Sequence, residues 1–144
     1  MNKIVTRNKE IESAALFALD YLGVDEVTVT VSVNSDLLQK LSTPKIAIEA
    51  VTYPTEMVHS YLLVIDSPKP RNETIFHEMA HLKQYEDGRL SYDYKTHVVR
   101  WLDQPVGNIP YFSREWELEA FDIQNRIKRI FNTYQNEKNR PHQS

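Results

Sequence analysis

The stretch from Asn72 to Gln84, which reads NETIFHEMAHLKQ, constrains the fold of this chain more than any other. It contains the pattern His-Glu-x-x-His, formed by His77, Glu78 and His81. Because the two histidines are four residues apart, a helix places both imidazoles on one face, one turn apart. Apolar residues at helical spacing cover much of the remaining surface: Ile75, Phe76, Met79, Ala80 and Leu82. The sequence therefore predicts a largely buried helix that carries three polar side chains.

The spacing of these polar residues suits a zinc ion. Neutral imidazole nitrogens bind Zn²⁺ at about 2.0–2.1 Å, and two such ligands leave tetrahedral positions for a third side chain and a water. A carboxylate beside the first histidine can take a proton from that water, whose pKa a catalytic zinc lowers to about 7. We therefore predict one Zn²⁺ on His77 and His81, with Glu78 as the general base. The alternative is a histidine pair that is hydrogen-bonded in the core for structural reasons.

Composition limits the remaining possibilities. A chain of 144 residues can form one domain with a substantial core. The absence of cysteine excludes disulfides and thiolate ligands, so a metal must be held by histidines and carboxylates. A net charge of −3 gives no basic surface for nucleic acid. Residues 1–7 lack a secretory apolar region, and no run approaches the roughly 18–20 apolar residues of a membrane span. We expect a cytoplasmic protein that binds neither nucleic acid nor membrane; its oligomeric state stays open.

Before the motif, the pattern predicts one amphipathic helix over residues 8–22, capped by Asn8 and ended by Gly23. Strict alternation predicts a strand at Val27–Val33. Two more strands are predicted at Lys45–Tyr53 and His59–Asp66, with a turn at 54–58 and a short helix at 35–41, capped by Ser35.

After the motif, a turn is expected at 86–91, a strand or hairpin arm at Tyr94–Leu102, and a loop at 103–110. A long amphipathic helix is predicted to follow an N-cap at Ser113. Its predicted apolar face consists of Trp116, Ala120, Ile123, Ile127, Ile130 and Tyr134. We expect residues 1–135 to form a single domain and residues 136–144 to be a disordered tail.

A working zinc site needs a third protein ligand. The downstream side chains with suitable chemistry are His97, Glu115, Glu117, Glu119 and Asp122. On the last helix, Glu117 and Glu119 flank the apolar face about equally, so spacing alone does not choose between them.

A His-Glu-x-x-His motif followed by a helix that reads Glu-x-x-Ala, here Glu117 to Ala120, resembles the gluzincin class of zinc metallopeptidases. Their small single-domain and phage-encoded members are the most similar. The resemblance covers about Ile65 to Ile123 and implies that Glu117 is the third ligand; Glu119 and His97 remain alternatives. It also implies an α+β, zincin-like fold in which a small twisted sheet of three or more strands packs on the motif helix, plus a long C-terminal helix.

The same resemblance implies hydrolysis of a peptide or protein substrate that adds to an edge strand beside the cleft. One departure concerns Phe121, because related peptidases often have at that position an acidic residue that orients a ligand histidine. Gln84 shares the histidine face and could hydrogen-bond a ligand or close the core. The possible carbonyl-polarising donors between the two helices are Tyr92, Tyr94, His97 and Tyr111. The alternative function is a zincin-fold interaction module without activity.

Overall fold

A computed structural model describes residues 1–44, 46–107, 109–110 and 113–138 of the chain. Within these residues the chain forms helices and short strands in the following order: β1 (Lys3–Val5), α1 (Lys9–Tyr21), β2 (Thr28–Val33), α2 (Ser35–Leu41), β3 (Ala50–Pro54), β4 (Ser60–Ile65), α3 (Asn72–Glu86), β5 (Leu90–Asp93), β6 (Val98–Trp101), β7 (Gln104–Pro105) and α4 (Glu115–Lys138). The predicted α+β class and the long C-terminal helix are confirmed.

The main sheet has four strands in the order β1-β2-β4-β3. Strands β1, β2 and β4 run parallel, while β3 pairs antiparallel with β4 and lies at the edge. The sequence pattern did not indicate β1, because three residues with one buried side chain, Ile4, are too short to show a period of two. The prediction of three or more strands is nevertheless correct.

Side-chain caps fix the ends of the early helices. The Asn8 side-chain oxygen accepts the amides of Glu10 and Ile11 at 2.9 and 3.1 Å, as predicted for α1. Gly23 follows α1 with a φ of +69°, a left-handed conformation that glycine adopts without strain. The predicted cap of α2 was wrong, since Asn34 rather than Ser35 accepts the amide of Leu37.

The second predicted strand is shorter than expected. It begins at Ala50, which pairs with Ile65, the last residue of β4. Residues 46–49 therefore have no β4 strand residue to pair with and are not part of the strand; Lys45 lies outside the described residues. Pro54, predicted to be in a turn, ends β3 opposite Tyr61. An edge strand tolerates proline because its missing amide is not needed by a second neighbour.

Between α3 and α4 the chain forms a second, antiparallel sheet in the order β5-β6-β7. The strand or hairpin arm predicted at Tyr94–Leu102 is β6, the second arm of a hairpin with β5, but it begins later than predicted because residues 94–97 form the turn between them. Asp93 stabilises this turn by accepting the amides of Lys95 and Thr96. The predicted loop at 103–110 contains the short strand β7.

Helix α4 departs from the predicted pattern at both ends. It begins at Glu115, and the carbonyl of Arg114 rather than Ser113 accepts its first amides. The predicted apolar face of this helix includes Ile130 and Tyr134, which are nearly half exposed, and leaves out Phe131, which is buried. The helix continues to Lys138, so residues 136–138 are helical although the prediction placed them in a tail; residues 139–144 lie outside the described part.

The motif helix α3 is held from several sides. It contacts α1, α4 and the edge strand β3. Phe131 of α4 packs edge-on against Phe76 of α3 and Phe17 of α1, with ring centroids 5.3 and 5.1 Å apart. Because Phe76 and Met79 are fully buried, α3 has little freedom to rotate. This packing fixes the direction in which the motif side chains point.

Candidate metal centre

The polar face of α3 meets the first turn of α4. His77 and His81 project from α3, and Glu117 projects from α4 between them. Ala120, one turn after Glu117, is completely buried, and its small side chain lets the two helices approach closely. The site is thus formed by α3 and α4, which are separated in the sequence by the whole second sheet.

Three donor atoms converge at this junction. The two Nε2 atoms of His77 and His81 lie 3.1 Å apart. Glu117 Oε1 lies 3.3 Å from His77 Nε2 and is in direct contact with His81 Nε2. Two ligand atoms of a tetrahedral zinc site, each about 2.0–2.1 Å from the ion, lie about 3.3 Å from each other. The donor set and two of its three separations therefore suit one zinc ion, whereas Glu117 Oε1 and His81 Nε2 lie closer together than two zinc ligands would.

Glu78 lies beside this group. The possible ligand atoms of His77, Glu78 and His81 all fall within 4.8 Å of one another. One carboxylate oxygen of Glu78 accepts a hydrogen bond from the Thr52 hydroxyl at 2.9 Å. Since Glu117 contacts both imidazoles and Glu78 is held by the edge strand, Glu117 is the better candidate ligand and Glu78 the better candidate base.

Hydrogen bonds hold the outer nitrogen of each imidazole. Gln84 Oε1 lies 2.8 Å from His81 Nδ1, and Gln124 Oε1 lies 3.0 Å from His77 Nδ1. If each Nδ1 donates to its amide oxygen, each neutral ring presents its Nε2 lone pair to the centre. Three electron-rich atoms then face one point, which favours a cation there.

In the metal-free protein a proton can occupy that point. Burial lowers the pKa of His81, but the hydrogen bond and the negative charge of Glu117 outweigh burial and raise this pKa to about 9. Burial raises the pKa of Glu117, but its hydrogen bonds to His77 and His81 dominate and hold that pKa well below the usual carboxyl range. The cluster is therefore an ion pair at neutral pH.

The other possible third ligands are engaged elsewhere. Glu119 accepts both guanidinium nitrogens of Arg89 at 2.7 Å. His97 lies in the β5–β6 turn, where its Nδ1 is 2.7 Å from the Tyr92 hydroxyl. Glu115 accepts from the indole of Trp101, and Asp122 pairs with Arg126. Of the five carboxylates and imidazoles considered downstream, the structure brings Glu117 to the histidine pair.

The departure from the gluzincin pattern has a structural counterpart. Phe121 packs its ring against His77, with centroids 4.5 Å apart. Its side chain cannot accept a hydrogen bond from His77, as an acidic side chain at this position would. Gln124, one turn further along α4, reaches His77 Nδ1 instead. Sequence reasoning did not single out Gln124, although it lies seven residues after Glu117 and hence on the same helix face.

The centre opens into a cleft of about 540 Å³. Edge strand β3 forms one wall with Val51, Thr52 and Tyr53, and the second sheet contributes Leu90 and Val99 to its lining. The edge strand thus borders the cleft as the resemblance implied.

Two tyrosines in this cleft were missed by sequence reasoning. Tyr53 and Tyr85 line it, and burial, together with nearby acidic groups, raises the pKa of each hydroxyl. Tyr85 follows His81 by four residues, so helical spacing could have indicated it. Of the donors predicted instead, Tyr94 bonds the carbonyl of Thr55 and Tyr92 bonds His97, while Tyr111 lies outside the described residues.

Neither a protein-family model, nor a curated protein sequence, nor a solved structure shows a significant similarity to the chain. None of the helices in the described part of the chain is long and apolar enough to cross a membrane. What the protein does must therefore be inferred from the geometry of the centre.

Proposed function

We propose that the protein is a zinc-dependent peptidase of the gluzincin type, with His77, His81 and Glu117 as ligands. One observation carries the proposal: two imidazole nitrogens and a carboxylate oxygen from two separate helices converge on one point, and two of their three separations match those of tetrahedral zinc ligands. Two histidines with a purely structural role would need hydrogen-bond partners. They would not need both Nε2 lone pairs and the Glu117 carboxylate to converge on one point. Zinc, when bound, would polarise the substrate carbonyl and acidify the attacking water.

Glu78 is the proposed general base. Its carboxylate would accept a proton from the attacking water and then deliver a proton to the leaving amine nitrogen. The Thr52 hydroxyl donates to one of its oxygens, which holds the carboxylate in place where it lines the cleft. Because Thr52 is buried on the edge strand, the same strand that positions the base also borders the cleft.

An extended peptide is the substrate that this cleft suits best. Strand β3 has β4 on one side, and its other side borders the cleft. A peptide can add to such an edge through main-chain hydrogen bonds. The raised pKa values of Tyr53 and Tyr85 keep both hydroxyls protonated at neutral pH, so either can donate to the substrate carbonyl oxygen.

The test replaces Glu78 with glutamine. Glu78→Gln keeps the shape of the side chain but cannot accept the proton, so we expect peptide hydrolysis to fall by roughly 10²–10⁴-fold. Elemental analysis should still find one zinc per chain. The matched control is Glu12→Gln, an exposed glutamate on α1, which should leave both measurements unchanged.

The outcomes separate the peptidase from a binding module. Hydrolysis at the parental rate in Glu78→Gln would refute the mechanism. Stoichiometric zinc in the parent together with no cleavage of a peptide library would instead favour the zinc-bearing interaction module. Absence of zinc from carefully prepared parent protein would remove the metal site itself.

A further inference from the structure

Gln84 connects the two helices of the metal centre. Its side chain is completely buried and makes three hydrogen-bond contacts. The amide nitrogen donates to the Trp116 carbonyl oxygen at 2.9 Å and to Glu119 Oε1 at 3.2 Å, and the amide oxygen lies 2.8 Å from His81 Nδ1. Its partners on α4 thus lie immediately before and two residues after Glu117.

These partners determine which way the Gln84 amide faces. A carbonyl oxygen and a carboxylate can only accept hydrogen bonds, so the NH₂ group of Gln84 must point toward Trp116 and Glu119. Arg89 holds Glu119 through two hydrogen bonds of 2.7 Å, which keeps that carboxylate in place as an acceptor. If the amide were flipped, its oxygen would face the Trp116 carbonyl oxygen and the Glu119 carboxylate oxygen, and both contacts would be repulsive.

With the amide fixed, the remaining contact assigns the proton on His81. Gln84 Oε1 has lone pairs and no hydrogen, so His81 Nδ1 must be the donor. In the neutral ring, Nε2 then carries the lone pair. That atom faces Glu117 Oε1 and His77 Nε2.

We propose that Gln84 is a positioning residue that locks His81 in the Nδ1–H form and aims its Nε2 lone pair at the metal position. This role rests on the proposed zinc site, because Gln84 makes Nε2 rather than Nδ1 the ligand atom of His81. Arg89 and Glu119 act through Gln84 by holding its amide in one orientation. Glu119, which sequence alone left as a possible ligand, thus has a different role: two successive hydrogen bonds connect it through Gln84 to His81.

The first test compares zinc dissociation constants of four proteins. Gln84→Leu keeps a similar volume but removes the acceptor, and the loss of such an outer hydrogen bond typically weakens metal binding by about 10–100-fold. Gln124→Leu should weaken binding through His77 in the same way. Gln39→Leu, an exposed position on α2, is the control and should bind like the parent. Parental affinity in Gln84→Leu would overturn the inference.

The second test reads the ring protons directly and needs neither metal nor activity. In ¹⁵N-histidine spectra of the metal-free parent, recorded at a pH high enough for His81 to be neutral, this ring should carry its proton on Nδ1 and none on Nε2. Gln84→Leu should change the His81 signals and leave those of His77, while Gln124→Leu should do the reverse. A proton on Nε2 of the parent, or unchanged His81 signals in Gln84→Leu, would refute the assignment.

The two tests separate this inference from the proposed function. If the parent binds no zinc, the peptidase proposal fails, and the ring spectrum still decides whether Gln84 sets the His81 tautomer. If the parent binds zinc and Gln84→Leu binds equally well, the zinc site stands and the role of Gln84 is wrong. Should Gln84→Leu not fold, the spectrum of the unsubstituted parent gives the answer alone.

Discussion

The charge state of the metal-free centre predicts a steep pH dependence of zinc binding. His81 has its pKa raised to about 9 by Glu117, so at neutral pH it carries the proton that a zinc ion must displace. Each pH unit below about 9 should therefore lower the apparent zinc affinity close to tenfold through this residue. Between pH 7 and pH 9 the affinity should rise roughly 100-fold, or about 2.7 kcal/mol at 1.36 kcal/mol per unit.

The assay is competition with a chromophoric chelator at fixed ionic strength, repeated across this pH range. The logarithm of the affinity should climb with a slope near one and flatten above about pH 9. Glu117→Gln removes the charge that raises the His81 pKa, so an NMR titration of this variant without metal should find His81 losing its proton at a lower pH than in the parent. An affinity that does not vary between pH 7 and pH 9 in the parent would refute the reasoning.

The same proton has a consequence for stability without metal. Because the folded pKa of His81 is above its unfolded value of about 6.5, its stabilising contribution is complete below that value and is lost as pH rises through about 9. Glu117 has a lowered folded pKa, so its contribution is present above its unfolded value and is lost in acid. The free energy of unfolding of the metal-free protein should therefore fall between neutral pH and about pH 9, measured by urea denaturation, and saturating zinc should reverse this trend.

Three further changes test other parts of the structure. Glu117→Gln should lose stoichiometric zinc by elemental analysis while Glu119→Gln retains it; the opposite pattern would exchange their roles. Thr52→Val removes the hydroxyl donor to Glu78, so it should reduce peptide hydrolysis with zinc content unchanged and cost about 1.5–3 kcal/mol in the free energy of unfolding, a typical value for a hydrogen bond to a charged group. Phe131→Ala opens a cavity between α1 and α3 and should destabilise the fold by about 3–5 kcal/mol in urea denaturation, whereas Ile130→Ala on the exposed side should have little effect.

Local patterns predicted the helices well because their signals lie within the helices themselves. The motif helix and α1 have helical apolar spacing, and Asn8 provides a cap whose function depends on neighbours two and three residues away. The extent of β3 could not be read locally, because it is set by where β4 ends at Ile65. The strands β1 and β7 have three and two residues and are too short to show a period.

The candidate site likewise has features that the local sequence predicts and features that depend on distant parts of the chain. The placement of His77 and His81 follows from helical geometry alone, and the structure brings them together as expected. The choice between Glu117 and Glu119 could not be made from the helix, because it depends on Arg89, which lies just after α3 and holds Glu119. The Arg89–Glu119 ion pair forms only when α3 and α4 pack together, so the sequence of α4 alone does not predict it.

The ligand-bearing helices and the far wall of the cleft belong to different parts of the chain. All the proposed ligands lie on α3 and α4, whereas Leu90 and Val99 of the intervening three-stranded sheet shape the space in front of them. In the proposed peptidase, exchanging the cleft-lining side chains of that sheet should change which peptide fits, because the sheet supplies the wall and the two helices supply the ligands. The segment between the two helices is therefore where we expect substrate preference of such an enzyme to be set.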